Sequence, residues 1–277
     1  MKRNLLKKTI MGLATASQIF GCAKTAQTTT VASGLAMTGS SKAATVAKYN
    51  GKSLLSILLP KANALTAPAG MVDSTGLAIA LSSAWVSIKE VEFEADEVKG
   101  AAETSGSEVS FHGPYFVDLL SNSPVALDTQ QIAQIPYHRI KVQLHASGGA
   151  LPLGAPSQLS SNSVVIAGTA GVNNFQFRLD DSTEMNIGGA NSVVPADGGR
   201  LLIEINFADI FKQINMSSIV NNEVISASNR HATTCPSIDA SATDVYTCVR
   251  KALEKRGNFG EDRNSDGALE VGEESVK

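Results

Sequence analysis

The sequence predicts a mainly β protein: an antiparallel β-sandwich, Ig-like or similar, followed by a short C-terminal helix and an EF-hand-like loop. In several short segments, apolar residues occupy every second position and polar residues lie between them, as in half-buried strands. Gly, Pro, Asn and Ser separate these segments, and the 277 residues are 43% hydrophobic but only 5% aromatic. This length allows one large core or two small ones.

This alternation recurs along the body of the chain. It indicates strands because side chains two positions apart lie on the same face of a strand. From Trp85 to Phe93 the alternation changes parity, which predicts a β-bulge near Lys89 and Glu90. Strands so closely separated by turn residues predict two antiparallel sheets packed face to face. The predicted strands are Leu77–Leu81, Trp85–Phe93, Tyr115–Leu119, Ile140–Leu144, Val164–Ala167, Phe175–Leu179 and Ile203–Phe207.

Two segments have helical rather than strand periodicity. Apolar residues at intervals of three and four predict a short amphipathic helix over Phe207–Ile214, which would cap the sandwich. The same spacing predicts a longer helix over residues 241–256. This helix begins at the capping pattern of Ser241 and Asp244 and ends before Gly257.

Four segments, taken in order, resemble a known family. They are Trp85–Phe93, Phe111–Leu120, Ile135–Leu144 and Leu201–Phe207, which read WVSIKEVEF, FHGPYFVDLL, IPYHRIKVQL and LLIEINF. In these segments the chain is similar to the bacterial lipoprotein family called domain of unknown function four-three-eight-two, over about residues 75 to 212. The resemblance implies a secreted or envelope β-sandwich with no established activity, and it carries over no catalytic residue. The Ser- and Asn-rich insert Pro152–Asn162 and the C-terminal helix and tail depart from the family pattern.

The N-terminus has the features of a lipoprotein signal peptide. Four cationic residues and no acidic residue lie among the first eight, and the apolar segment Thr9–Phe20 follows. This segment is too short to span a bilayer as a helix. Gly21 and Cys22 complete a lipobox-like sequence, which predicts lipid on Cys22 and attachment to the outer membrane of a bacterial cell envelope. Ordinary cleavage, for example after Ala14–Ala16, is the alternative.

These features divide the chain into four parts. Residues 1–21 are the predicted signal peptide. Residues 22–53 are the lipidated Cys and a polar tether, which shows neither helical nor strand periodicity. Residues 54–215 are the predicted β-sandwich domain, and within it we expect residues 75–212 to fold without the tail. Residues 216–277 hold the predicted C-terminal helix, a disulfide and an acidic tail with the calcium loop.

The charge excludes nucleic acid as a partner. The formal net charge is −3, and removal of the first 21 residues leaves 19 basic against 26 acidic residues, or −7. Such a domain has no basic face that could displace the counterions of phosphates. It is also not attracted to anionic lipid, so its attachment to a membrane would depend on acyl chains alone.

The acidic tail contains a segment with the spacing of an EF-hand calcium loop. Gly267 stands at loop position 6, where the chain must turn sharply, and Leu269 stands at position 8. With no second loop in the chain we expect weak binding, with a Kd of about 10⁻⁴ to 10⁻³ M. The alternative is a solvated acidic tail. The predicted calcium ligands are Asp262, Asn264, Asp266, the carbonyl of Ala268, Glu270 and Glu273.

Two cysteines, Cys235 and Cys248, remain once Cys22 is assigned to the lipid. An exported protein can keep a disulfide, so we predict one between them, with two buried thiols as the alternative. The histidines lack the spacing of a zinc site and are interpreted as surface or turn residues. They are His112, His138, His145 and His231.

The sequence predicts a non-enzymatic envelope lipoprotein with a binding or structural role, because it contains no recognisable catalytic motif. Asp180, Asp181 and Glu184 could serve as a glycosidase acid and base, but adjacent acids at a strand end are more typical of a turn. A carbohydrate- or protein-recognition module, adhesin-like in character, is the alternative, and exposed Tyr115 or Tyr137 would favour it. A hydrolase with an unrecognised site is the second alternative.

Overall fold

The structure is a computed structural model that describes residues 29–40, 71–95, 108–269 and 273–276. The predicted signal peptide, Cys22 and Glu270 lie outside the described residues, so the predictions made for them stay predictions. Within the described part the protein is mainly β, with two sheets and one helix of seven or more residues. The predicted fold class is confirmed.

Twelve strands, two α-helices and one short 3-10 helix (Ser157–Ser160) follow one another along the described chain. The strands are β1 (Thr30–Ser40), β2 (Ile79–Ala95), β3 (Glu108–Asp118), β4 (Val125–Ala133), β5 (Tyr137–Leu144), β6 (Val164–Ala170), β7 (Asn173–Leu179), β8 (Thr183–Val193), β9 (Arg200–Asn206), β10 (Glu223–Ile225), β11 (Gly257–Glu261) and β12 (Glu274–Val276). The helices are α1 (Phe207–Phe211) and α2 (Val245–Lys255).

The strands form a five-stranded and a seven-stranded sheet. The first has the order β12, β11, β9, β1, β4, and the second has the order β10, β7, β6, β2, β5, β8, with β3 paired to the other side of β2. Most pairs are antiparallel, but β1 runs parallel to β9 and β10 runs parallel to β7. The prediction of purely antiparallel sheets was wrong at these two pairs. Both join strands that are distant in the chain, where no hairpin imposes an antiparallel direction.

Side chains from both sheets form one hydrophobic core. The Phe93 ring on β2 contacts Phe111 and Tyr137 of its own sheet and Phe259 on β11 of the other sheet, with ring centroids 5.5, 5.7 and 5.4 Å away. These four side chains are at most 1% exposed. Two sheets that share a core between their faces make a β-sandwich.

The long strand β2 includes two of the predicted strands, Leu77–Leu81 in part and Trp85–Phe93 in full. Its first half pairs with β6 and its second half with β5. The register with both β3 and β5 shifts between Ile88 and Glu90, so the predicted bulge is confirmed. The bulge lets one strand change partners along its length.

β1 lies inside the segment that the sequence predicted to be a tether, and that interpretation was wrong for residues 30–40. The strand sits between β4 and β9, and most of its residues are buried. At Gly39 a Cβ atom would lie 2.5 Å from the carbonyl oxygen of Leu119 and 2.8 Å from the Phe207 ring. The small residues that weaken the apolar pattern of this strand therefore allow its close packing.

The C-terminal elements also belong to the core. β11 pairs with β9, and α2 places Val245, Val249 and Leu253 in the same cluster as the sandwich strands. The predicted boundary at residue 215, and a core complete within residues 75–212, were therefore wrong, because one sheet is completed from both ends of the chain.

Both helices are shorter than predicted. α1 ends at Phe211 rather than at Ile214, and Asn206 caps it by accepting a hydrogen bond from the Asp209 N–H. α2 begins at Val245 because Asp244 is the capping residue and accepts from the Thr247 N–H. In the part of the chain that the structure describes, no helix has the length and apolar character needed to cross a membrane.

Candidate functional site

The predicted calcium loop lies between β11 and β12, which pair with each other. β11 also pairs with β9, and the Asp262 N–H extends this pairing by donating to the Arg200 carbonyl oxygen at 3.0 Å. The loop is therefore entered and left by strands, whereas an EF-hand has helices on both sides. Its first predicted ligand sits at the edge of the sandwich core.

Asp262 is 2% exposed, and its side chain is fully buried. Its Oδ2 accepts a hydrogen bond from the Gly267 N–H at 3.0 Å and contacts the Arg200 guanidinium. Its Oδ1 is buried and has no hydrogen-bond partner among the described residues. A buried carboxylate oxygen without a donor is costly, by about 1–3 kcal/mol or more for a charged group.

The other ligand positions shape the turn that follows. Asn264 Oδ1 accepts from the Asp266 N–H at 2.9 Å, and Asp266 Oδ1 accepts from the Ala268 N–H at 3.0 Å. Ser265 and Gly267 have φ values of 56° and 83°, in the left-handed region. At Gly267 a Cβ atom would also lie 2.6 Å from the Pro124 ring, so glycine is required there both for conformation and for space.

Glu273, the twelfth residue of the loop, folds back over its beginning. Its Oε1 accepts from the N–H groups of Arg263 and Asn264 at 3.2 and 3.3 Å. Leu269 at position 8 is 8% exposed and packs with Ala36 and Leu202 in a small apolar cluster. Both ends of the loop and its middle are thus fixed to the sandwich or to each other.

The described carboxylates of the loop do not gather into a ready-made metal cage. Among the described residues, no group of three or more His, Cys, Asp or Glu side chains is arranged to hold a metal ion. Asp262, Asp266 and Glu273 instead accept hydrogen bonds from loop N–H groups. In this loop, Oδ1 of Asp262 is a carboxylate oxygen that is buried and has no hydrogen-bond partner among the described residues.

Cys235 and Cys248 are joined by a disulfide in the structure, with their Cα atoms 5.9 Å apart. Cys248 lies in the second turn of α2, and both residues are fully buried. The bond connects the helix to the loop that precedes it, and it joins the two cysteines for which the sequence predicted a disulfide.

The acids Asp180 and Asp181 contact a phenol rather than each other. The Tyr246 hydroxyl donates to Asp180 Oδ1 at 2.9 Å and lies 3.2 Å from Asp181 Oδ2. Burial and these two carboxylates raise the pKa of Tyr246 far above its ordinary value. Glu184 accepts from Asn186 on the exposed face of β8. The three acids thus do not converge as a glycosidase pair.

The tyrosines proposed for ligand recognition are not free aromatic surfaces. Tyr137 is 1% exposed, and Tyr115 is partly buried against the core. A surface cavity of about 210 Å³ lies near the bulge of β2, which is smaller than the range usual for small-molecule sites. Its lining residues are Ile88, Lys89, Gly113, Pro114, His145 and Ser147.

Three histidines have defined side-chain partners. His112 Nδ1 lies 3.0 Å from Glu90, and His145 Nδ1 lies 2.6 Å from the Ser182 hydroxyl. His231 differs, because its side chain is only 14% exposed and lies between Ser218 and Glu223. The interpretation of His231 as a simple surface or turn residue missed this cluster. No spacing in the sequence signals it, since it depends on how the loop around β10 folds.

Comparison with protein-family models, with curated proteins and with solved structures finds no match to this chain. The resemblance of the segments around Trp85, Phe111, Ile135 and Leu201 to a lipoprotein family therefore stays a prediction.

Proposed function

We propose that this chain is a lipid-anchored protein of the bacterial cell envelope, whose β-sandwich binds a protein or glycan or serves surface architecture, and whose C-terminal loop binds calcium. The anchor on Cys22 is supported by the signal-like sequence before it. The calcium site is the part with structural support. One observation carries it: the buried, unpartnered Oδ1 of Asp262 at the first position of the loop.

Calcium at Asp262 would relieve the cost of this buried oxygen. The spacing then offers further oxygens from Asn264, Asp266 and the Ala268 carbonyl, and Glu273 closes the sequence of ligands. Asp266 and Glu273 already accept hydrogen bonds from loop N–H groups, each through one carboxylate oxygen, so the ion would share these oxygens or replace those bonds. Because the loop connects two paired strands, the ion would stabilise the β11–β12 hairpin at the edge of the five-stranded sheet.

The affinity of this site should be low. The Arg200 guanidinium already neutralises part of the Asp262 charge and competes with a cation for it. The loop also lacks the flanking helices and the paired second loop that strengthen EF-hand sites. A Kd of about 10⁻⁴ to 10⁻³ M, as in extracellular calcium modules, is the expected range.

The test is a calcium titration by calorimetry on the purified chain. Wild type should release or absorb heat in the millimolar range, and magnesium should substitute poorly, because it demands a strict octahedral geometry. Asp266→Asn combined with Glu273→Gln should abolish the heat. Neither change removes Asp262 from the core. Glu184→Gln, which alters an exposed acid on β8, should bind as wild type does.

Absence of heat for wild type, or equal heat for wild type and the double variant, would show that these loop residues do not bind calcium. The anchor has a separate test. A palmitate analogue fed to cells should label wild type and leave Cys22→Ala unlabelled, and equal labelling of both would exclude lipid on Cys22.

A further inference from the structure

Three polar side chains form a chain of hydrogen bonds around β10. The Ser218 hydroxyl lies 2.9 Å from His231 Nε2, and His231 Nδ1 lies 2.7 Å from Glu223 Oε1. We name these three residues the Ser218 relay. A hydroxyl on one imidazole nitrogen and a carboxylate on the other is the arrangement that activates a serine nucleophile.

Burial decreases along this chain of hydrogen bonds, from Glu223 through His231 to Ser218. The Glu223 side chain is 8% exposed and the His231 side chain 14% exposed, while Ser218 is exposed to solvent. Because a carboxylate only accepts hydrogen bonds, Glu223 fixes the proton of a neutral His231 on Nδ1. The lone pair of Nε2 then faces the Ser218 hydroxyl and can accept its proton.

Each member of the relay is fixed by contacts outside it. Glu223 begins β10, which pairs with β7, and its Oε2 accepts from the Val220 N–H at 2.9 Å. The His231 carbonyl oxygen accepts from the N–H of Val245, the first residue of α2, at 2.8 Å. His231 also has a φ of 52°, in the left-handed region. Non-glycine residues are held in this region only by surrounding structure, and such residues often cluster at functional sites.

We infer that Ser218 is the nucleophile of an acyl-transfer site. In the first step His231 Nε2 takes the Ser218 proton, the serine oxygen bonds to the carbonyl carbon of an ester, and the alcohol leaves with the proton from Nε2. In the second step water attacks the acyl-serine, gives a proton to Nε2, and releases the carboxylic acid as Ser218 regains its proton. The net reaction consumes an ester and water and yields an acid and an alcohol, without any other reactant.

The surroundings of Ser218 define the substrate class. Ser218 faces solvent, so the acyl group must be small and presented from outside rather than enclosed. The N–H groups of Ser217 and Val220 are engaged by Asn215 Oδ1 and Glu223 Oε2. The Ser218 N–H has no partner among the described residues, which leaves it to donate to the developing oxyanion. With one such donor we expect slow hydrolysis of short-chain esters, because each donor contributes about 10²–10³ in rate.

This inference goes beyond the proposed function and departs from the sequence-based expectation of a non-enzymatic protein. The relay and the calcium loop share no residue, so each can fail while the other stands.

The experiment treats the purified chain with a fluorophosphonate probe, which reacts with activated serines, and maps the adduct by mass spectrometry. Wild type should carry one adduct at Ser218, and Ser218→Ala should carry none. Ser217→Ala is the matched control, because Ser217 is also exposed but donates to Asn215 instead of a histidine, and this variant should be labelled as wild type is. Wild type and Ser217→Ala should also hydrolyse p-nitrophenyl acetate, and Ser218→Ala should not.

The role of His231 has its own readout. His231→Ala should slow labelling by about 10²-fold or more, as expected for loss of a general base, and added imidazole should restore part of the rate. Glu223→Gln should also slow it, and thermal melts of each variant would show that the fold is kept. No adduct on wild type, an adduct that persists in Ser218→Ala, or labelling that is insensitive to His231→Ala in a folded protein would each overturn the inference.

Discussion

Phe93 and Phe259 meet edge to face across the sandwich, with ring centroids 5.4 Å apart and planes inclined by 72°. Phe93 belongs to the seven-stranded sheet and Phe259 to β11 of the five-stranded sheet. Both are at most 1% exposed. A residue only a few positions before the calcium loop is thus part of the central core, and stability should depend on the C-terminal segment.

Phe259→Ala should lower the free energy of unfolding by about 3–5 kcal/mol, the range for loss of a buried phenylalanine. Urea unfolding followed by circular dichroism gives this value directly. Val220→Ala, at a side chain that is 61% exposed, should change it by no more than about 0.5 kcal/mol. A Phe259→Ala variant as stable as the Val220→Ala control would mean that the C-terminal strand is peripheral.

The disulfide should contribute substantially to stability. It closes a loop with a sequence separation of 13 residues, and its reduction should cost about 3 kcal/mol by the loop-entropy argument. Dithiothreitol should lower the urea midpoint of wild type. It should leave Cys235→Ala combined with Cys248→Ala unchanged, at a midpoint near that of reduced wild type. If the reductant did not alter wild type, the thiols would be unpaired in solution.

The strands in which large apolar side chains alternate with polar ones could be predicted from the sequence. Strands made mainly of small residues could not. Phe175 to Leu179 alternates large apolar with polar residues, and β7 forms there as expected. β1 is built largely of Ala, Ser, Thr and Gly, so its place in the sheet depends on partners in β4 and β9 that lie far along the chain. Local periodicity contains no information about such partners.

The same limit applies to the sites. The proposed calcium loop could be recognised from spacing alone, because all its predicted ligands lie within one short segment. The contact between Arg200 and Asp262, 62 positions apart, could not be read from the sequence. Ser218, Glu223 and His231 are near in sequence, but no motif has their spacing. Only the turn around β10 brings the hydroxyl and the carboxylate to opposite nitrogens of one imidazole.

Asp73 should make stability depend on acid pH. It is 2% exposed, and its carboxylate accepts hydrogen bonds from Thr75, Leu77 and Met216. Burial alone would raise the pKa of Asp73, but these hydrogen bonds outweigh it and hold the pKa below its ordinary value. The stabilisation is therefore complete above the unfolded-state pKa of about 3.9 and is lost as the pH falls through the lower folded-state value.

Asp73→Asn should lower the free energy of unfolding at pH 7 by about 2 kcal/mol, since hydrogen bonds to a charged acceptor are replaced and a donor now faces other donors. The difference from wild type should be smaller at pH 3 than at pH 7, because the stabilisation begins to be lost below the unfolded-state pKa of about 3.9. Urea unfolding at both pH values measures it, with the exposed Glu184→Gln as control. A difference that grew on acidification would contradict the lowered pKa.

Arg200 should compete with calcium for Asp262. The guanidinium contacts the buried carboxylate, and its own Nε is buried without a partner among the described residues. Arg200→Gln leaves the Asp262 charge uncompensated, so without calcium it should lower stability by about 1–3 kcal/mol, a discounted value because Arg200 is partly exposed. With its competitor removed, calcium should bind several-fold more tightly and restore more stability than in wild type.

Thermal melts and calorimetry with and without calcium measure both effects, and Arg178→Gln on β7, far from the loop in the chain, should change neither. A variant whose calcium affinity and calcium-dependent stabilisation matched those of wild type would show that the ion does not reach Asp262.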